Sequence, residues 1–323
     1  MPALRKNSRV LFFAKLIVSL GLVAYLVWIV DWERPIETVN HSNKLLITMC
    51  PILSLFGFVF CSARWRLVLA DSSVAFSRLR AYRGYLVGSF YSIFLPGVIG
   101  GDAVRIGLCV SQTKCKIGTA IASVLVERIA GVVALLSFLL FASLLFPTSL
   151  SSIITLESTA LVTVMASVGI LAMVAVVLGR RLWVKWLPRE STRRMWSFVH
   201  SGVDVLSALR GETIGAVLVL SALFQAADIA VAFLLSQAIG LAVPLPVFFA
   251  IIPFVYLATL LPISLGGLGV REGALVFLLS GLGVATSDAV TLSFLIYLNR
   301  VVVGGIGGLL QFIRTISTGK AVA

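Results

Sequence analysis

Histidine occurs only twice in 323 residues, at His41 and His200, and the four cysteines follow no CxxC spacing. That scarcity removes any Cys/His metal pattern and any disulfide framework readable from spacing. Cys50, Cys61, Cys109 and Cys115 lie in or beside apolar stretches and are expected to pack as small hydrophobes. There is no HExxH, no GxSxG and no Walker loop. Nor does any loop gather the carboxylates that metal-dependent glycosyl transfer needs; Asp31 and Glu33 come nearest and fit a solvated outer loop. The residues give no ground to expect an enzyme, a metal or a cofactor. Charge is scarce as well, at 12% of residues, where soluble domains carry about a quarter. Acids are scarcer still, 13 against 26 Lys and Arg, for a net charge of +13.

What is abundant is apolar sequence, 59% of the chain. A hydrocarbon core of about 30 Å needs about 20 residues per helix. The sequence predicts an all-α polytopic membrane protein with spans near 10–30, 44–63, 117–146, 155–179, 213–240 and 286–313. The first run follows Arg5, Lys6, Arg9 and Lys15 and ends at Trp28 and Trp32 without a small-x-small site, so it is expected to stay as a span. Two further stretches, 84–113 and 246–284, each contain the same phrase. Leu95-Pro96-Gly97-Val98-Ile99-Gly100-Gly101-Asp102-Ala103-Val104-Arg105 returns 166 positions later as Leu261-Pro262-Ile263-Ser264-Leu265-Gly266-Gly267-Leu268-Gly269-Val270-Arg271. Pro and a Gly pair break helices, and an arginine in hydrocarbon is costly. Each stretch is therefore expected to form a helix–break–helix hairpin that enters the membrane and returns, hinged at Pro96, Gly100 and Gly101 and at Pro262, Gly266 and Gly267. Two kinked spans per stretch are the plainer alternative.

The placement of basic residues predicts the topology. Twenty of the 26 Lys and Arg fall at or before Lys15, in 64–83, at Lys114 and Lys116, in 180–210 and at Arg314 and Lys320. All of them lie on one side if both termini are cytoplasmic, while 31–44 holds three acids and two bases. This distribution speaks for a membrane and against a nucleic-acid partner. It also makes the hairpins enter from opposite sides, so 1–150 and 151–323 read as inverted halves of a single membrane domain. Between them, 180–212 carries Trp196, Val199, Val203, Leu206 and Leu209 at helical spacing. It is expected to lie on the anionic inner leaflet as an amphipathic linker, or else to be an ordinary basic loop.

Inside the apolar stretches remain Asp102, Arg105, Glu127, Arg128, Asp228, Arg271, Glu272 and Arg300. A charge at mid-span costs ~2.5–3.5 kcal/mol, so these groups must face one another or a wet path. Asp102 with Arg105, Glu127 with Arg128 and Arg271 with Glu272 are the local pairs on offer, while Arg300 has no adjacent acid. Arg105, Arg128, Arg271 and Arg300 are candidate ligands for an anion such as a phosphate, with Asp102, Glu127 and Glu272 in support. Gly304 and Gly308 make a GxxxG face, expected to pack.

Phe94–Arg105 (FLPGVIGGDAVR), Val126–Leu135 (VERIAGVVAL) and Leu261–Leu275 (LPISLGGLGVREGAL) resemble the lysylphosphatidylglycerol synthase transmembrane region family. That is the flippase-like membrane domain of multiple peptide resistance factors, also found in stand-alone bacterial proteins. The resemblance implies a bacterial inner-membrane protein that moves an anionic lipid or lipid-linked head group between leaflets. Membrane lipids are then its partners, with homo-oligomerisation left open. With Ala323 the last residue, no soluble aminoacyl-transfer domain is expected to follow, so lysyl transfer is not implied. Where many relatives carry an acid after the Glu-Arg pair, this chain has Ala130 and Gly131. Two other readings compete: a proton-coupled carrier of a small soluble anion with Glu127 titrating, and a membrane accessory or enzyme acting on polyprenyl-phosphate lipids.

Overall fold

The computed structural model describes residues 33–94, 100–145, 164, 167–169, 204–260 and 269–318. Every regular element among them is a helix: α1 (Glu33–His41), α2 (Lys44–Asp71), α3 (Arg78–Phe94), α4 (Gly100–Thr113), α5 (Ile117–Leu145), α6 (Gly211–Ala238), α7 (Leu245–Thr259), α8 (Val270–Ser280) and α9 (Thr286–Thr318). Among the described residues, α2, α5, α6 and α9 are long and apolar enough to cross a membrane, and α7 is a shorter apolar helix. The chain is a polytopic all-α membrane protein. The expected span at 10–30, most of that at 155–179, the segments 95–99 and 261–268 with Pro96, Pro262, Gly266 and Gly267, and 180–203 lie outside the described residues.

Local chemistry sets the boundaries. Asn43 caps α2, its side-chain oxygen accepting from Leu45 N at 3.1 Å and Leu46 N at 3.3 Å. At the other end Ser73 turns the chain with φ 59°, and Lys114 does the same between α4 and α5 with φ 55°. The expected span at 44–63 was too short. Helix α2 runs on to Asp71 because Leu67-Val68-Leu69-Ala70 restores the apolar run after Arg66. Arg64 and Arg66 are therefore helical, Arg78, Arg80 and Arg83 belong to α3, and the basic loop shrinks to 72–77. The first hairpin stretch likewise begins at Arg78 rather than at 84. The segment 31–44, read as a loop, contains α1, and His41 is the last residue of that helix.

The helices pack in a set of pairs: α2 on α6, α3 on α9, α5 on α7, α3 on α4, and α7 on α8. Glycine makes the closest approaches. Gly57 of α2 lies against Phe224 and Ala227 of α6, and Gly304, Gly307 and Gly308 of α9 lie against Ile93, Leu86 and Phe90 of α3. The partner contacts of Gly101 are the Gly88 carbonyl and the Ser92 hydroxyl, which bring α3 and α4 together antiparallel on either side of 95–99. On the other flank the Phe138 and Phe141 rings of α5 stand 5.3 and 6.0 Å from that of Phe249 in α7. A large core joins Ile229, Leu235, Phe248, Ile251, Leu275, Leu279 and Leu292, and a smaller one surrounds Trp65 and Tyr85.

The linker meets protein where the described residues resume. Val205 and Leu209 are buried against Val68, Ala122, Val126 and Val217, with Leu206 packed alongside. Arg210 ties the segment to the end of α2, its backbone N and Nε donating to Asp71 at 2.9 and 3.0 Å. The apolar residues Leu206 and Leu209, expected to face the leaflet, instead close the end of the bundle.

Candidate functional site

Two groups of charged side chains are built into the helices. The first centres on Glu127, which is 1% exposed in α5. Its Oε1 accepts from Arg64 Nε at 3.1 Å and from the Tyr85 hydroxyl at 2.5 Å, and its Oε2 pairs with Arg105 Nη2. Arg105 Nη1 donates to Asp102 Oδ1 at 3.1 Å, while Asp102 Oδ2 receives Arg128 Nε at 2.6 Å and pairs with Arg128 Nη2. Arg64 extends the network to α6 by donating from Nη1 to Ser221 Oγ at 2.8 Å. Four helices of the first half and one of the second thus converge on two carboxylates.

The aromatic floor of this group is equally specific. The guanidinium carbon of Arg105 lies 3.7 Å from the Tyr85 ring centroid and 4.4 Å from that of Trp65. Trp65 is held in place by donating Nε1 to Ser123 Oγ at 3.0 Å. Among the described residues three guanidinium groups meet two carboxylates. Burial treats the guanidinium groups unevenly. The Arg64 and Arg105 side chains are 9% and 7% exposed, whereas Arg128 is 36% exposed. Arg128 is therefore the most accessible of the three guanidinium groups.

The second group lies among α6, α7, α8 and α9. Tyr256 donates its hydroxyl to Asp228 Oδ2 at 2.8 Å, and the Arg300 guanidinium carbon stands 5.2 Å from the Tyr256 ring centroid. Arg271 pairs with Glu272 and lies 5.5 Å from the Tyr297 ring centroid. Glu272 also accepts from Gly269 N at 2.7 Å, where φ is 82°, so this carboxylate caps the start of α8 while it holds Arg271. Arg300, with no acid beside it in sequence, has the Tyr256 ring next to it, and Asp228 and Glu272 act on it electrostatically.

Sequence proximity located some of these pairs and missed others. Asp102 with Arg105 and Arg271 with Glu272 meet as spacing suggests. Glu127 and Arg128 do not meet, because neighbours on a helix point about 100° apart; Glu127 faces Arg64 and Arg105, and Arg128 faces Asp102. The four candidate arginines fall into two groups, Arg105 with Arg128 and Arg271 with Arg300. Gly100 and Gly101 form the first turn of α4. Arg64, Tyr85, Ser221 and Tyr256 were not among the expected site residues. Arg64 had a signal, the apolar run after Arg66 that keeps it inside a helix. The other three had none at this spacing. Among the described residues no three His, Cys, Asp or Glu side chains converge as a metal site requires.

The family described as Lysylphosphatidylglycerol synthase TM region matches residues 12–308, nearly the whole chain. No curated protein matches it.

Proposed function

Because the chain belongs to the lysylphosphatidylglycerol synthase TM region family, we propose that it carries the head group of an anionic lipid between leaflets while the acyl chains stay in the bilayer. The observation that carries this reading is the chain of guanidinium and carboxylate groups that runs from the buried Arg64 through Glu127, Arg105 and Asp102 to the half-open Arg128. Asp102 bridges Arg105 and Arg128 with both oxygens, as a bound phosphate monoanion would. A head group arriving at Arg128 takes the place of Asp102, and Arg300 with Arg271 receives it at the second group. Glu127 and Glu272 hold the guanidinium groups in position throughout.

The proposed path needs a polar route bounded by two mobile hairpins. We read α3–α4 and α7–α8 as the re-entrant pairs, hinged at the Pro and Gly-Gly phrases, and both termini as cytoplasmic. The packing supports an inverted repeat: exchanging α2 with α6, α3 with α7, α4 with α8 and α5 with α9 turns α3–α9 into α5–α7 and α3–α4 into α7–α8, and leaves α2–α6 in place. The basic residues support the orientation, and the family's bacterial members suggest an inner membrane.

Leaflet exchange of acyl-labelled phosphatidylglycerol in proteoliposomes tests the proposal. Arg128→Ala and Arg300→Ala are the informative variants, because neither side chain is sealed in the core. Each removes one charge-assisted contact, and exchange is expected to fall about tenfold or more, the equivalent of ~1.4 kcal/mol. Parent protein that moves no anionic lipid, or variants that move it at the parent rate, would overturn the proposal.

A further inference from the structure

Between the two charged groups, one face of α6 carries Ser221, Gln225 and Asp228 at i, i+4 and i+7, which places them in a single row. Both ends of the row are already engaged: Ser221 accepts from Arg64 of the first group, and Asp228 accepts from Tyr256 of the second. Seven residues of helix rise about 10 Å, a third of a hydrocarbon core of about 30 Å. The row therefore connects the groups through the middle of the span.

Its central member is unsatisfied. Gln225 is the fifteenth of the 28 residues of α6, is 7% exposed, and its Oε1 has no hydrogen-bond partner among the described residues. A buried amide oxygen left open at mid-span is costly, and a leucine would fill the space without that cost. Space is left for the amide by Gly131, the fifteenth residue of α5, where an added Cβ would come only to 4.0 Å from Gln225 Nε2. Asn299 repeats the pattern on α9 beside Arg300: it donates Nδ2 to Ser54 Oγ at 2.9 Å, and its Oδ1 has no partner among the described residues.

We infer that the Ser221–Gln225–Asp228 face of α6 is the track along which the head group crosses, and that Gln225 selects phosphate head groups bearing a hydroxyl or amine donor. The inference rests on the lipid-carrying reading above and adds the substrate class to it. The arginines recognise the phosphate at either end. In the middle the amide oxygen of Gln225, which accepts from no described residue, accepts from a donor on the head group. A head group with phosphate alone would leave that oxygen open through the crossing, which slows it.

Two lipids of equal charge separate the terms: phosphatidylglycerol, which carries hydroxyl donors, and phosphatidylmethanol, which carries none. Acyl-labelled forms of each are followed in proteoliposomes of the parent protein, Gln225→Leu and Gln225→Met. The parent is expected to move phosphatidylglycerol at least about fivefold faster, the span of one hydrogen bond. In both variants the ratio is expected to fall towards one, the Met variant keeping the chain length so that a packing defect is not the cause. A parent with no preference overturns the inference while leaving lipid transport standing, and so do variants that keep the parent ratio. A parent that moves neither lipid overturns both.

Discussion

Replacing Glu127 by glutamine would leave Arg64 and Arg105 buried with a neutral group between them and only Asp102 to balance the cluster. Removing one partner from a buried ion network costs about 3–5 kcal/mol, since the remaining charges stay desolvated. Glu127→Gln is therefore expected to unfold markedly earlier than the parent in a detergent thermal melt. Arg128→Ala removes a half-open side chain whose acid keeps Arg105 as a partner, and its melt is expected to stay within about 2 °C of the parent. A Glu127→Gln melt matching the parent would mean that the cluster is not structural. Sequence distance explains which contacts could be read beforehand. Asp102 and Arg105 are three apart on one helix, so their pairing follows from the helix repeat. Arg64 and Glu127 are 63 positions apart, and nothing in either neighbourhood names the other. Hydropathy also ended the span at 63, one residue short of the arginine that proved central.

At the scale of the helix, the glycines of α9 separate by what lies opposite them. A Cβ on Gly307 would run into the Leu86 carbonyl of α3, which is backbone and cannot swing aside. Gly307→Ala is expected to force the helices apart and cost about 1–3 kcal/mol. Gly305 has nothing within 4 Å of its Cβ position, so Gly305→Ala keeps stability or gains up to about 1 kcal/mol of helix propensity. Equal melting of the two variants would refute the close contact of α9 with α3. The GxxxG spacing of Gly304 and Gly308 announced a packing face, but not which helix it meets, because spacing carries no partner. Helix ends were less legible: α2 outruns its hydropathy window and α3 starts in basic sequence that hydropathy assigns to a loop.

Across the whole molecule, several of the extensive contacts join the first part of the chain to the second: α2 with α6, α3 with α9, and α5 with α7, beside that of α3 with α4. Neither 1–150 nor 151–323 can bury its own packing faces alone. Expressed separately, each is expected to be degraded or aggregated; expressed together, they are expected to co-purify as one complex. A first half that is stable and monodisperse by itself would argue against this interleaving. The class of the fold was legible because long apolar stretches admit little besides helices in lipid. The interleaving was not, because apolar surfaces of equal hydropathy do not specify their neighbours. One consequence concerns synthesis. The face of α3 around Leu86 and Phe90 receives Gly307 and Gly308, which follow it by about 220 positions. At ~5–20 residues per second the ribosome needs on the order of 10–40 s to supply them. The nascent α3–α4 pair waits that long with its docking groove open to lipid or to the insertion machinery, before the last helix arrives to close it.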